Sequence, residues 1–291
     1  MKLATHPIVI LLVLVTNAVG RAAEPVRLTH DGKLKFAPVF VDDGAGIVYS
    51  VHEFANRVMI KRINLADGTQ HHELPDGQAS QFDADFSRDQ RYLAYSKSDG
   101  DRQLKLVIID RMLGQEFVFA PPGTQRSTVR SPRFLPDQSR VIFTINGPRG
   151  QQIASVNLQA DNLEYVTTSD GTNGWPAVSP DGAQIVLSSS RAGPFDLYLI
   201  GADGSGVKRL TESAASDLHA TWSPDGKQIA FTSARDGNYE IYCIGVDGTN
   251  LRRVTHHAER DDFPVWHPAG DRLLTIAERD GEFDLYITAM D

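Results

Sequence analysis

The stretch Trp222–Thr255, WSPDGKQIAFTSARDGNYEIYCIGVDGTNLRRVT, decides the fold. Three turn signals, Ser223-Pro224-Asp225-Gly226, Arg235-Asp236-Gly237-Asn238 and Val246-Asp247-Gly248-Thr249, separate short runs rich in β-branched and aromatic residues. In the first, Pro224 presets φ at the second corner, Asp225 can hydrogen-bond its own backbone and Gly226 closes a type I turn. Asp236-Gly237 and Asp247-Gly248 are hairpin signals of the same kind. The stretch therefore reads as four strands, roughly His219–Trp222, Gln228–Ser233, Tyr239–Gly245 and Leu251–Thr255. Apolar and polar residues alternate only partly along them, the pattern of a sheet that packs on both faces.

The same brick recurs along the chain. Trp266 in PVWHPAGDRLLTIAERDGEFDLYI and Val178 in PAVSPDGAQIVLSSSRAGPFDLYLIGADGSGVKRLT occupy the position of Trp222, and weaker copies place Phe134, Phe86 and Phe40 there. The anchors Phe40, Phe86, Phe134, Val178, Trp222 and Trp266 are spaced 46, 48, 44, 44 and 44 residues apart. A lone four-stranded sheet cannot bury two faces, whereas six arranged radially can, so the sequence predicts an all-β, six-bladed β-propeller over residues 24–291. The sixth copy stops after its third strand, at YITAMD, and lacks the outer strand seen elsewhere as KRLT and RRVT. The matching VRLT, Val26–Thr29, lies at the other end of the chain, so an N-terminal strand should complete the last blade and protect its edge.

Composition bounds the rest. Residues 1–23 carry Met-Lys, the apolar run PIVILLVLV and the small-residue stretch NAVGRAA, the pattern of a secretory signal peptide, which predicts a periplasmic or secreted protein. Cys243 is the single cysteine, so no intramolecular disulfide is available and stability must come from packing. A formal charge of −8, with no long basic run, argues against nucleic-acid binding.

These units resemble the propeller repeats of the TolB family, whose blades carry W-S-P-D-G-x-x-I-A-F-x-S-x-R-D-G-x-x-(D/E)-I-Y; Trp222–Tyr242 follows that pattern nearly residue for residue. The likeness is strong in the last three copies and degrades in the first three, where Gln90 and Gln138 replace Gly and Arg88 replaces Pro. TolB belongs to the Tol–Pal envelope system, so the resemblance implies an envelope or periplasmic partner of the Pal lipoprotein type, bound by a monomeric, non-enzymatic module. Family members carry an α/β domain before the propeller, for which this sequence shows no counterpart between the signal segment and the first blade. The same repeats occur in oligogalacturonate lyases, which leaves a metal-dependent polysaccharide lyase as the alternative; only that reading requires a cofactor, a divalent metal in the channel.

Motifs for chemistry are sparse. The sequence shows no G-x-S-x-G, no H-E-x-x-H, no P-loop and no cysteine-based zinc motif. GADGSG, Gly201–Gly206, reads as a turn, and DADFSRD, Asp83–Asp89, alternates carboxylates but lacks the Gly and distal Glu of a calcium loop. His71–His72 and His256–His257 are adjacent pairs. Neighbours on a strand point to opposite faces and on a surface loop are solvated, which argues against His71–His72 as a metal pair. His256 and His257 open the loop from blade five to the inner strand of blade six, which should reach one rim of the channel and offer them as ligands or contacts. Propeller sites are expected at the channel mouth, where inter-blade loops meet the starts of the inner strands. The third residues there, Ala37, Asp83, Ser131, Trp175, His219 and Phe263, mix rings and charges. From these registers Trp175, His219, Asp217, Arg130, Asp261, Asp262 and Phe263 are the candidate binding residues, because aromatic and arginine side chains anchor most protein interfaces.

Overall fold

A computed structural model describes residues 24–75, 77–99, 103–122, 128–147 and 149–290; the expected signal peptide, residues 1–23, lies outside them. Six antiparallel sheets of four strands follow one another along the chain. The innermost strands are Lys35–Val41, Gln81–Phe86, Val129–Phe134, Asn173–Val178, Asp217–Trp222 and Asp261–Trp266. We number the blades one to six in that order.

Blade five shows how the sequence builds each sheet. Its strands are Asp217–Trp222, Gln228–Ser233, Glu240–Gly245 and Arg252–Arg253, so the inner strand begins two residues earlier than the turn signals suggest and the outer one is shorter. The first turn is tied as its residue types require. Ser223 Oγ donates to Asp225 Oδ1 at 2.6 Å and accepts the Gln228 amide at 2.9 Å, while the Gly226 amide donates to Ser223 O at 2.9 Å. Gly226 sits at φ +70°, a conformation that costs glycine nothing. Blades two and three keep the same turn without the glycine: Gln90 and Gln138 occupy it at φ +60° and +58°.

Five consecutive residues of Glu240–Gly245 are buried, because both faces of the sheet are covered. Six apolar clusters join neighbouring blades around the ring. Between blades four and five, Val186, Leu197 and Leu199 pack on Trp222, Ile229, Phe231 and Tyr242. Between one and six, Ile47, Tyr49 and Ile63 meet Leu274, Ile276 and Leu285. Trp222 also donates from Nε1 to Ala177 O of blade four at 3.0 Å, which fixes the ring's orientation between blades. Cys243 is buried in the cluster between blades five and six, and burial pushes its thiol up to about 11, where it is unreactive at neutral pH.

The ring closes across its ends. Val26–Arg27 pairs antiparallel with Glu282–Ala289, with Val26 opposite Ile287 and Arg27 opposite Tyr286. The junction is ionic as well as hydrogen-bonded. Asp284, 1% exposed, accepts from Thr29 Oγ1 at 2.5 Å, Arg27 NH2 at 2.5 Å and the fully buried Lys35 Nζ at 3.1 Å. Together they hold its carboxyl below the ordinary range despite burial.

Candidate functional site: the central cavity

Each inner strand departs from regular pairing at the same place. The register shifts between Phe36 and Val39, Phe82 and Asp85, Arg130 and Arg133, Gly174 and Ala177, Leu218 and Thr221, and Asp262 and Val265. Two residues there oppose one on the partner strand, which is a β-bulge. The first bulged residue is left-handed in every blade: Ala37 at φ 48°, Asp83 at 54°, Ser131 at 53°, Trp175 at 51°, His219 at 52° and Phe263 at 52°. None is glycine, so each costs roughly 1–2 kcal/mol of backbone strain, and for the bulky Trp175 and Phe263 the conformation is rare. Bulges re-aim side chains, and all six of these border one cavity of about 650 Å³ on the propeller axis.

The cavity runs from this strained ring to the first turns of the blades, where Pro136, Pro180, Pro224 and Pro268 form its rim on blades three to six. Blades one and two, whose turns depart from the repeat, present Asp43 and Arg88 instead. Its two halves differ in chemistry. The side formed by blades four to six carries no charged residue: Trp175 meets His219 edge to face at 5.1 Å, and His219 stacks on Phe263 at 3.9 Å. His219 is held by its Nδ1, 2.7 Å from Asp262 Oδ1. Asp262 in turn accepts Thr232 Oγ1 at 2.8 Å, the Phe263 amide at 2.8 Å and the Arg260 guanidinium. Burial pushes its carboxyl up, but His219 and Arg260 outweigh that and hold it far below the carboxylate range.

The other side is charged. Arg130 clamps Asp83 with Nε at 2.5 Å from Oδ2 and NH2 at 3.0 Å from Oδ1, while lying over the rings of Phe82 and Phe36 at 5.0 and 5.7 Å. Burial raises the Asp83 carboxyl, yet Arg130 and the Ser131 amide, 2.9 Å away, bring it below the ordinary value. Asp85, two residues on, lacks such a clamp. One of its oxygens accepts the Phe134 amide at 2.8 Å, but the nearest cation among the described residues, Arg133 NH1, is 3.9 Å away and itself donates to Pro132 O at 2.9 Å. Burial therefore dominates and pushes the Asp85 carboxyl up to about 6.

Of the residues expected from sequence, Arg130, Trp175, His219 and Phe263 line this cavity, and Asp262 stands directly behind His219. Asp217 and Asp261 do not. Both are buried at the strand starts, Asp217 bound by Arg235 at 2.9 and 3.0 Å and Asp261 by Arg279 at 2.8 Å. The arginines come from the second turn of each blade, so these pairs brace strand to turn. The cavity extends to the far ends of the inner strands, among the first turns, and Asp217 and Asp261 at the strand starts are not part of its lining. Sequence reasoning did not select Asp83, Asp85, Arg88 or Arg133. Asp83 and Asp85 stand two apart on an inner strand, but the β-bulge at Asp83 that re-aims these side chains breaks simple alternation and is not marked by residue type.

The donor set for a channel metal does not assemble. Among the described residues His219 is the one histidine on the cavity wall, while His71 and His72 are exposed on an outer strand of blade one and His256 is exposed before blade six. Among the described residues no three His, Cys, Asp or Glu side chains are placed to hold an ion together. One imidazole already tied to a carboxylate does not fit the requirement of a metal-dependent lyase.

The family model of the TolB beta propeller domain matches residues 123–291. The chain belongs to that family. Solved structures similar to this TolB-family propeller include a putative TolB from Agrobacterium tumefaciens, 22% identical over 76% of this chain and 78% of that one, with a TM-score of 0.66. TolB from Acinetobacter baumannii is 20% identical over 86% of this chain and 65% of that one, with a TM-score of 0.67. An oligogalacturonate lyase in complex with manganese is 18% identical over 91% of this chain and 79% of that one, with a TM-score of 0.64. At these identities the likeness is one of fold. Among curated proteins, an uncharacterized protein of Agrobacterium fabrum is 38% identical over 77 residues, which is 26% of this chain and 26% of the relative; the aligned part spans about a quarter of that protein's length.

Proposed function

We propose that this chain is an exported, non-enzymatic propeller that binds a segment of an envelope protein, of the Pal lipoprotein type, in its central cavity. The observation that carries the reading is the strained ring. Six bulges turn non-glycine side chains into one cavity, and blades four to six furnish it with Trp175, His219 and Phe263 beside a proline rim. Strain of this kind concentrates where a surface is shaped for recognition. A cavity half aromatic and half charged suits a peptide, which presents apolar side chains and polar backbone together. The lyase reading would need several metal-ligating side chains at the same place, and among the described histidines His219 alone lines the cavity.

The test is calorimetric titration of the purified chain, without residues 1–23, with the soluble domain of the Pal-type lipoprotein from the same organism. Trp175→Gly keeps the left-handed backbone and deletes the ring, so it should weaken binding by about 2 kcal/mol, or roughly thirtyfold in Kd. Binding unaffected by Trp175→Gly would place the interface elsewhere. Absence of binding would remove the Pal-type partner.

A further inference from the structure

The cavity's charged side is not balanced group by group, and the imbalance specifies what it holds. Arg130 already has the Asp83 carboxylate as a close counter-ion in a two-point contact. Arg88 is exposed at the rim, so water solvates it at no cost. Asp43 on blade one is exposed as well. Asp85 differs from all of these. Its side chain is only 16% exposed, it faces the cavity, and it accepts the Phe134 amide at 2.8 Å, with no cation among the described residues closer than 3.9 Å. A carboxylate taken out of water without a close counter-ion is the group that gains most from a ligand. A carboxylate ligand would have to approach Asp85 to reach Arg133, whereas a cation would complete what Arg133 leaves unfinished.

We propose that the cavity selects a basic peptide segment, seating a lysine or arginine side chain against Asp85 and flanking apolar side chains against Trp175, Phe263 and the proline rim. This rests on the peptide-binding reading above and adds the chemistry of the partner. The chain's net charge of −8 favours the approach of such a segment. The groups facing Asp85 are Arg133 and the amides of Phe134 and Phe86, with the Asp83–Arg130 pair one step along the strand. Burial holds the Asp85 carboxyl up at about 6, so the preference for a cation there should fade as pH falls through about 6.

The experiment uses a random dodecapeptide display library, selected on the chain without residues 1–23 at pH 7.5 and at pH 5.0, with Asp85→Asn selected in parallel. Circular dichroism confirms that each variant is folded. The expected result is enrichment of Lys or Arg beside aromatic or aliphatic residues on the wild type at pH 7.5. On Asp85→Asn, and on the wild type at pH 5.0, the apolar preference should persist while the basic one disappears. A synthetic peptide of the enriched sequence should bind Asp85→Asn about tenfold more weakly or worse. Enrichment of Asp or Glu, or of apolar residues without a basic one, overturns this inference and leaves cavity binding standing. Enrichment that survives Trp175→Gly unchanged, or no enrichment at all, overturns the cavity reading and this inference with it.

Discussion

Replacing Asp85 by asparagine should stabilise the protein, and only where Asp85 is ionised. In the folded chain burial raises this carboxyl from an ordinary 3.8 to about 6, because Arg133 at 3.9 Å compensates it poorly. Below pH 3.8 the group is protonated folded and unfolded, and contributes nothing to the pH dependence. Between 3.8 and 6 the unfolded chain releases a proton that the folded chain keeps, so stability falls as pH rises; above 6 the penalty is complete. A shift of about two pK units at about 1.4 kcal/mol each sets a ceiling near 3 kcal/mol. The side chain retains some solvent contact, and asparagine must itself be desolvated, so a gain of about 1–2 kcal/mol is the working value. Asparagine keeps the acceptor for the Phe134 amide, so that donor is not orphaned. For a chain of this size that is about 3–6 °C in Tm at pH 8, shrinking to nothing near pH 4. Differential scanning calorimetry of both proteins from pH 4 to pH 8 measures it. A lower Tm for Asp85→Asn at pH 8, or a gain that does not change with pH, would refute the account of Asp85 as an under-compensated carboxylate.

Deleting Glu24–Asp31 removes the strand that completes blade six and leaves Lys35 and Asp284 without Thr29 and Arg27; a lower Tm and aggregation by light scattering should follow, and an unchanged melting curve would contradict the ring closure. Arg235→Ala strands the fully buried Asp217 carboxylate and should cost about 3–5 kcal/mol in urea unfolding, partly restored by adding Asp217→Asn, while peptide binding per folded molecule stays unchanged. At position 175 the glycine variant should be more stable than the alanine variant by about 1 kcal/mol, the reverse of the usual order, because φ is +51°. Gln90→Gly should likewise be neutral or stabilising by up to about 1 kcal/mol in thermal unfolding; a clear loss would mean that the glutamine side chain supports the turn.

The fold was legible because the repeat is carried by residues with local mechanisms. Pro224, Asp225 and Gly226 state a turn wherever they stand, Trp222 recurs at a fixed interval, and the missing outer strand of blade six has one candidate, Val26–Thr29. The degraded copies show why the repeat counts for more than any single residue. Gln90 and Gln138 take up the left-handed position that glycine holds in other blades, because hydrogen bonds of their amides to Ser87 O and Leu135 O and the packing of neighbouring strands fix the turn around them. The site was only half legible, for the complementary reason. Which end of an inner strand faces an open cavity depends on the bulge, and no residue type announces that bulge: alanine, aspartate, serine, tryptophan, histidine and phenylalanine all occupy it.

Asp217 and Asp85 make the contrast concrete. Each is an aspartate on an inner strand, and the sequence offers more reason to choose Asp217, which lies at a strand start near a histidine. In the folded chain Asp217 is matched by Arg235 from its own blade, so its charge is spent on holding the strand to the turn. Among the described residues no arginine of its own blade forms an ion pair with Asp85, and the neighbouring blade's Arg133 stays 3.9 Å away. What separates a brace from a binding group is thus the distance to a counter-ion across a blade interface. That distance is set by how six sheets twist around one axis, and it is a property of the closed ring rather than of any one repeat.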